Sequence, residues 1–134
     1  MNGLLWVLQV LLGFFFVVIG VLHFVLLPGL PAPMAWMYDL SPGLHYFSGS
    51  AEIAAGLGLV LPGLTGIQTR LTPLAAVGLV FLMVGAIVWH CTRSEFTNVA
   101  RNILLMGLSG FIAYGRWKLS PLPDKGSLSA GAAT

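Results

Sequence analysis

The chain has 134 residues and a formal net charge of +2, with 57% apolar residues and 7% charged residues. Soluble domains carry charge on about a quarter of their residues, so this composition, with a mean hydropathy of +0.94, excludes a soluble domain and indicates an integral membrane protein. The six basic residues are too few and too scattered for a nucleic-acid interface, and the single cysteine excludes an internal disulfide.

The hydropathy pattern predicts four membrane spans with short connections. A span needs about 20 apolar residues, and the chain provides them at about residues 3–27, 44–61, 71–91 and 98–118. The predicted fold class is therefore all-α membrane, a four-transmembrane-helix antiparallel bundle, in a single domain over residues 1–120. The tail at 121–134 is rich in proline, glycine and serine and is predicted to be disordered.

The connection between the first two spans is rich in proline and aromatic residues. Pro28 and Pro33 end the first span, because the proline ring prevents helix propagation. Trp36 and Tyr38 are of the type that anchors chains at a membrane–water interface. Residues 28–44 are therefore predicted to form an interfacial loop or a short lid.

Basic residues are distributed unevenly between the two sides of the predicted bundle. The side that holds both termini carries Arg70, Arg116, Lys118 and Lys125. The other side carries Arg93 and Arg101. Because basic residues favour the cytoplasmic side, both termini are predicted to be cytoplasmic. Arg116 and Lys118 are expected to contact anionic lipid headgroups, and Arg101 to extend its charge towards the interface.

Glu52 is an unusual residue in this chain. It lies well inside the apolar, glycine-containing second span. An acidic side chain at the centre of a bilayer costs about 2.5–3.5 kcal/mol on insertion scales, and such residues normally have partners inside the protein. The other spans are therefore expected to supply polar groups to Glu52.

Each span has one face of small and polar residues when it is drawn at 100° per residue. These faces hold Gln9, Gly13, Gly20 and His23 on the first span, His45, Gly49, Glu52 and Gly56 on the second, His90 on the third, and Asn98 and Asn102 on the fourth. The polar members of these faces, apart from Gln9, lie in the half of the bundle where the first span ends and the second begins. The sequence therefore predicts one pocket in one leaflet, with Glu52 about 12 Å below its rim.

The predicted catalytic residues are Glu52, His23 and His90, because a carboxyl group beside imidazoles can donate and accept protons near neutral pH. The apolar walls suit a lipophilic small molecule. The predicted ligand-binding residues are these three together with Asn102, Asn98, Arg93, His45, Trp89, Gly49 and Gly56. No metal site is predicted, because the candidate ligands come from different helices without local ligand spacing.

Each of these assignments has a structural alternative. Glu52 could be a buried hydrogen-bond partner that fixes helix register, and His23 and His90 lie near the interface, where an imidazole is tolerated. Arg93 could form a solvated pair with Glu95, or it could reach the cluster around Glu52.

Three motifs carry a resemblance to a known family. They are GVLHF at 20–24, FSGSAEIAAGLGLVL at 47–61, and a histidine that closes span three ahead of an asparagine-containing start of span four. Together they resemble the DoxX and DoxX-like membrane proteins over about residues 3–120. The resemblance implies a four-helix bundle associated with membrane redox or thiol-stress complexes; the family is named after a subunit of a thiosulfate:quinone oxidoreductase. Members often carry a lysine near the end of span one, where this chain has His23.

The leading hypothesis is a protein of the bacterial inner membrane that binds a lipophilic redox or ring-containing ligand, a quinone above all, in association with an oxidoreductase. The alternative is a non-catalytic membrane subunit that anchors a soluble oxidoreductase, and a weaker one is a lipid isomerase or hydratase. A proton path across the membrane is disfavoured, because Ser109 is the single polar residue predicted for the middle of the bundle. The glycine pair Gly78 and Gly85 is predicted to form a homo-oligomer contact.

Overall fold

The computed structural model describes residues 1–133, in which every regular element is helical. The elements are α1 (Asn2–Phe24), a 3₁₀ helix (Ala32–Asp39), α2 (Pro42–Thr65), α3 (Leu71–Thr92), α4 (Phe96–Tyr114), a π-helical turn (Gly115–Leu119) and α5 (Lys125–Ala132). Helices α1, α2, α3 and α4, the last with its π-helical turn, are long and apolar enough to cross a membrane. The predicted all-helical, four-span fold class is confirmed.

The ends of α2 follow from local sequence chemistry. Its first turn is capped by Ser41, whose side-chain oxygen accepts a hydrogen bond from the Leu44 amide. The span was predicted to end at about residue 61, but α2 continues to Thr65, with Pro62 inside its last turns. Because proline has no amide hydrogen, the carbonyl of Gly58 loses its helical partner, and the Thr72 hydroxyl of α3 donates to it at 3.2 Å.

Helices α1 and α2 touch through glycine. A Cβ atom built on Gly56 would lie 2.7 Å from the Gly13 carbonyl oxygen, and one on Gly49 would lie 2.9 Å from the Gly20 carbonyl oxygen. Since the earlier glycine of α1 meets the later glycine of α2, the two helices run antiparallel. Glycines seven residues apart thus allow the two backbones to approach directly.

The buried faces of the four spans are the small and polar faces that the sequence predicts. Phe16, Leu59, Leu79, Met83 and Ile112 belong to the apolar core. The buried polar residues include Gln9, His23, Glu52, His90, Asn98, Asn102, Ser109 and Arg116. The opposite faces expose leucine, valine and phenylalanine side chains, as expected for contact with lipid.

The 3₁₀ helix Ala32–Asp39, which we call the lid, covers the end of the bundle where α1 ends and α2 begins. Met37 anchors it in the interior with 0% exposure. The Tyr38 hydroxyl donates to the Leu27 carbonyl oxygen at 2.7 Å and accepts from the Leu30 amide at 2.9 Å. The connection predicted as an interfacial loop or lid is therefore an ordered cover.

The end of the chain is helical where the sequence predicts disorder. Helix α5 is exposed along its length. Asp124 caps it by accepting from the Gly126 amide, and the Lys125 amide donates to the Gly66 carbonyl oxygen. These local hydrogen bonds stabilise the helix. The prediction of disorder missed them because composition alone does not reveal a cap. Position 134, the last of the predicted tail, lies outside the described residues.

We predict that Gly56→Ala destabilises the protein by about 1–2 kcal/mol, because its methyl group would overlap the α1 backbone and overpacking outweighs the better helix propensity of alanine. Gly107→Ala is the matched control, since a Cβ there has no atom within 4 Å. Unfolding by denaturing detergent measures both. Equal effects of the two substitutions would contradict the direct α1–α2 contact.

Candidate functional site

A cavity of about 280 Å³ lies beneath the lid, between α1, α2, α3 and α4. We call it the histidine cavity. Its polar lining residues are His23, Ser48, Glu52, His90, Arg101 and Asn102. The rest of the wall is mostly apolar, with Phe16, Met34, Trp36, Met83 and Trp89 among its members. An apolar cavity with a few convergent polar groups, near the lower end of the size range of ligand sites, is typical of a small-molecule pocket.

Glu52 and His23 meet inside the cavity wall. The side chains are 8% and 1% exposed, and Glu52 Oε2 lies 3.4 Å from His23 Nε2. That distance allows electrostatic attraction, but neither atom makes a hydrogen bond within the described residues. Because buried polar atoms are nearly always hydrogen-bonded, these two atoms remain available to a third group.

His23 also contacts a second imidazole. Its Nδ1 lies 2.9 Å from Nδ1 of His45, which is half-buried at the start of α2. In such a contact one nitrogen must carry the hydrogen and the other must accept it. If His45 donates, neutral His23 carries its own hydrogen on Nε2, facing Glu52. The three side chains then form a continuous chain from the rim to the cavity wall.

The lid places Trp36 between the two buried histidines. Its ring centroid lies 6.0 Å from that of His23 and 5.1 Å from that of His90. The indole Nε1 is buried without a hydrogen-bond partner among the described residues. The sequence predicts Trp36 to lie at the membrane interface. A tryptophan near the end of a span has the same local sequence whether it lies at the interface or in a buried cavity wall. Its neighbour in the wall, Trp89, was among the predicted residues.

His90 is held by a charged network at the rim. Its Nδ1 lies 2.5 Å from Glu95 Oε2. Arg93 donates from Nε to Glu95 Oε1 at 3.0 Å and from Nη2 to Asp39 of the lid at 2.5 Å. Its guanidinium also stacks over Trp89. Arg93 therefore belongs to the rim and ties the lid to the α3–α4 connection, and the solvated pair is the alternative that the geometry supports.

The network alters the titration of Glu95. Partial desolvation opposes ionisation, but hydrogen bonds from His90 and Arg93, with the positive charge of Arg93, outweigh it and hold the pKa of Glu95 below its ordinary value. The hydrogen bonds to Glu95 and Asp39, with the charges of these two carboxylates, raise the pKa of Arg93. Both groups are therefore ionised at neutral pH.

The remaining predicted residues divide into two groups. Asn102 is buried in the cavity wall, whereas Asn98 lies beside it and accepts a hydrogen bond from Arg101 Nη2 at 2.6 Å. Gly49 and Gly56 lie at the α1–α2 contact instead of the cavity wall. Arg101, expected to extend towards the interface, lines the cavity.

Two residues of the cavity lining, Phe47 of α2 and Gly85 of α3, are exposed. The bond between Thr72 and the Gly58 carbonyl oxygen fixes the register that puts these two residues at about the same level. Among residues 1–133, no group of three or more metal-ligating side chains is arranged to hold a metal ion.

We predict that acid loosens the lid. Since the pKa of Glu95 is lowered on folding, its contribution to stability is present above the ordinary glutamate pKa of about 4.3 and is lost as the pH falls through the lower folded value. Tryptophan emission should therefore change below about pH 4 in the wild type, and Glu95→Gln should show the altered emission already at neutral pH. Asp124→Asn, which removes a carboxylate near α5, is the control. A Glu95→Gln spectrum identical to the wild type at all pH values would contradict this account.

Comparison with known proteins identifies the family. No curated protein and no solved structure matches the chain. A profile of the DoxX-like family matches residues 7–112, which run from the second turn of α1 to the last turn of α4 and include every residue of the histidine cavity. Together with the four apolar helices, this match makes the protein an integral membrane protein that belongs to the DoxX-like family.

Proposed function

We propose that the histidine cavity binds the ring of a lipophilic molecule, with a quinone as the best chemical fit. The observation that carries the proposal is the presence of three buried, unpartnered polar atoms around one apolar cavity: His23 Nε2, Trp36 Nε1 and Glu52 Oε2. Each lacks a hydrogen bond in the described residues, and a bound head group would supply it. The exposed lining residues Phe47 and Gly85 suit a ligand that arrives from the bilayer.

The hydrogen-bonding capacity of these atoms matches a quinone better than a purely apolar ring. An indole nitrogen can only donate, so Trp36 requires an acceptor such as a carbonyl oxygen. Imidazole and carboxyl groups can donate or accept, according to their protonation. His23 and Glu52 can therefore bind either the carbonyl of a quinone or the hydroxyl of the reduced quinol. Asn102 can do the same through its amide.

We further propose that the cavity exchanges protons with the bound ring. Reduction of a quinone to a quinol consumes two electrons and two protons, so a site of this kind needs proton carriers and an electron-transfer partner. Glu52 and His23 would exchange the protons, and half-buried His45 would connect them with water at the rim. The electrons would come from an associated oxidoreductase, in line with the redox association that the resemblance implies. His90, held by Glu95, would orient the ring from α3.

We predict that a short-chain ubiquinone analogue binds the purified protein in lipid nanodiscs at one site per chain. Trp36→Phe and Glu52→Gln should each weaken binding about tenfold, because loss of a buried hydrogen bond leaves a polar group unpaired at a cost of about 1–3 kcal/mol. Titration calorimetry measures the dissociation constants. Trp117→Phe, an exposed tryptophan at the other end, is the matched control and should bind as the wild type does.

Two outcomes would contradict this proposal. One is the absence of saturable quinone binding by the wild type. The other is equal binding by Trp36→Phe, Glu52→Gln and the control. If Glu52→Gln lowered thermal stability without any quinone phenotype, the polar cluster would be structural. Co-purification with a peripheral partner would then support the alternative, a non-catalytic membrane subunit that anchors a soluble oxidoreductase.

We also propose that both termini are cytoplasmic, in a bacterial inner membrane. Arg70, Lys118 and Lys125 are exposed at the end that holds the termini. At the lid end, Arg93 is neutralised by two carboxylates. The histidine cavity would then lie in the outer leaflet.

We predict that a membrane-impermeant maleimide labels Cys91 in intact cells. Cys91 is the single cysteine of the chain, and it is exposed near the end of α3 on the lid side. Cys91→Ser is the control for background labelling. Labelling that required permeabilised cells would contradict the proposed orientation.

A further inference from the structure

The end of the bundle opposite the lid contains a buried cation. Arg116, in the π-helical turn that follows α4, is 2% exposed. Its Nε donates to Gln9 Oε1 at 2.5 Å, and its Nη1 donates to Asn2 Oδ1 at 2.7 Å and to the Ser120 carbonyl oxygen at 2.9 Å. The guanidinium thus links α1 to the end of α4, and all of its acceptors are neutral.

No described carboxylate balances the charge of Arg116. Among residues 1–133 it forms no ion pair with an aspartate or glutamate, and its Nη2 is buried without a hydrogen bond. A buried ion without a counter-charge is costly, and neutral oxygens compensate it incompletely. An arginine that served only as a structural link would be expected to have all of its donors hydrogen-bonded, so the unbonded Nη2 is suited to an anion.

Arg116 lines a second cavity, of about 880 Å³, which we call the arginine cavity. Arg70, exposed at the start of α3, also lines it, as do the polar side chains of Gln68, Thr69 and Ser127. Two guanidinium groups in the lining of one cavity, one of them with an unused donor, are suited to an anion that accepts several hydrogen bonds.

Asp124 is the acidic residue of this cavity and opposes an anion. Its carboxylate is already engaged, since Oδ2 accepts from the Thr69 amide at 3.2 Å and Oδ1 accepts from the Gly126 amide at 2.9 Å. These backbone bonds hold the pKa of Asp124 below its ordinary value, so the group stays ionised. The two arginines nevertheless leave the cavity with a net positive charge. Asp124 forms no ion pair with Arg116, whose Nη2 makes no hydrogen bond within the described residues.

The location of the cavity indicates which anion it meets. It lies between the α2–α3 connection, the end of α4 and the segment before α5, at the level where the spans end. Lipid headgroups occupy this level of a membrane. Apolar residues in the same wall, Pro73, Leu74 and Leu122, would suit the glycerol and the first acyl carbons of a lipid.

We propose that the arginine cavity binds a phosphate group on Arg116 and Arg70, supplied by an anionic phospholipid or by free phosphate. Binding there is independent of the histidine cavity, since the two cavities share no lining residue. The phosphate oxygens accept from Arg116 Nη2 and from the guanidinium of Arg70. The bound anion then completes the contact that holds the end of α4 against α1.

The test measures binding of dioleoyl phosphatidylglycerol and of inorganic phosphate to the purified full chain by native mass spectrometry and by thermal stabilisation. Dioleoyl phosphatidylcholine controls for headgroup charge. Arg116→Gln and Arg70→Gln are compared with Lys118→Gln, which removes the same charge from an exposed residue outside the cavity. Arg70 is exposed, so Arg70→Gln keeps the test valid even if Arg116→Gln fails to fold.

We expect one phosphatidylglycerol per chain, with affinity reduced about tenfold or more by Arg70→Gln and by Arg116→Gln, and by less than twofold by Lys118→Gln. Competition by millimolar inorganic phosphate would support the phosphate site and assign a free anion as its source. If phosphatidylglycerol binds and inorganic phosphate does not compete with it, the source of the bound phosphate group is the lipid. The proposal is overturned if neither probe binds, if phosphatidylcholine binds equally well, or if Lys118→Gln weakens binding as much as Arg70→Gln.

Discussion

The approach of Glu52 to His23 inside an apolar bundle is the contact around which the lid end is arranged. A carboxyl group at this depth is tolerated when another polar group faces it, and α1 provides that group where it meets α2. The contact is incomplete, because neither atom makes a hydrogen bond within the described residues. The incompleteness supports the proposed binding site, since a purely structural pair would be expected to satisfy both partners.

Glycine makes this contact possible. His23 follows Gly20 by three residues, and Glu52 follows Gly49 by three, so each polar group lies about one turn beyond a point where the helix backbones touch. A Cβ on Gly49 would lie 2.8 Å from the His23 Cβ. Gly49 was predicted to bind ligand, but its position indicates a different role. It keeps α1 close enough for His23 to face Glu52.

Helical periodicity predicted much of this arrangement, because a four-span chain with so little charge has few polar positions to bury. The inward faces of α1 and α2 followed from a 100° rotation per residue, and Glu52 followed from the cost of burying an acid. Rotation alone could not separate Gly56, which touches α1, from Glu52, which faces the cavity. The two residues lie on the same face of a helical wheel. Whether each one contacts α1 or faces the cavity depends on how the helices cross.

Trp36 and Arg116 were assigned to the membrane surface, and the structure buries the polar atoms of both. The reason is the same for each. An amphipathic side chain near the end of a span can turn outward to the interface or inward to the bundle, and the local sequence is identical in the two cases. The direction of the side chain depends on a partner that is distant in sequence. Trp36 contacts the histidines of α1 and α3, and Arg116 donates to Gln9 of α1.

The two polar ends of the bundle are separated by an apolar layer. Leu12, Phe16, Leu59, Leu79 and Met83 fill the core between them. Within the described residues Ser109 offers the one unpartnered polar atom outside the two ends, and a single hydroxyl cannot relay protons across the layer. In the proposed function, protons exchanged at Glu52 would therefore enter and leave through the rim, by way of His23 and His45. A quinone turning over in the histidine cavity would take up and release its protons on the same side of the membrane. Electron transfer at this site would then move no proton through the bundle.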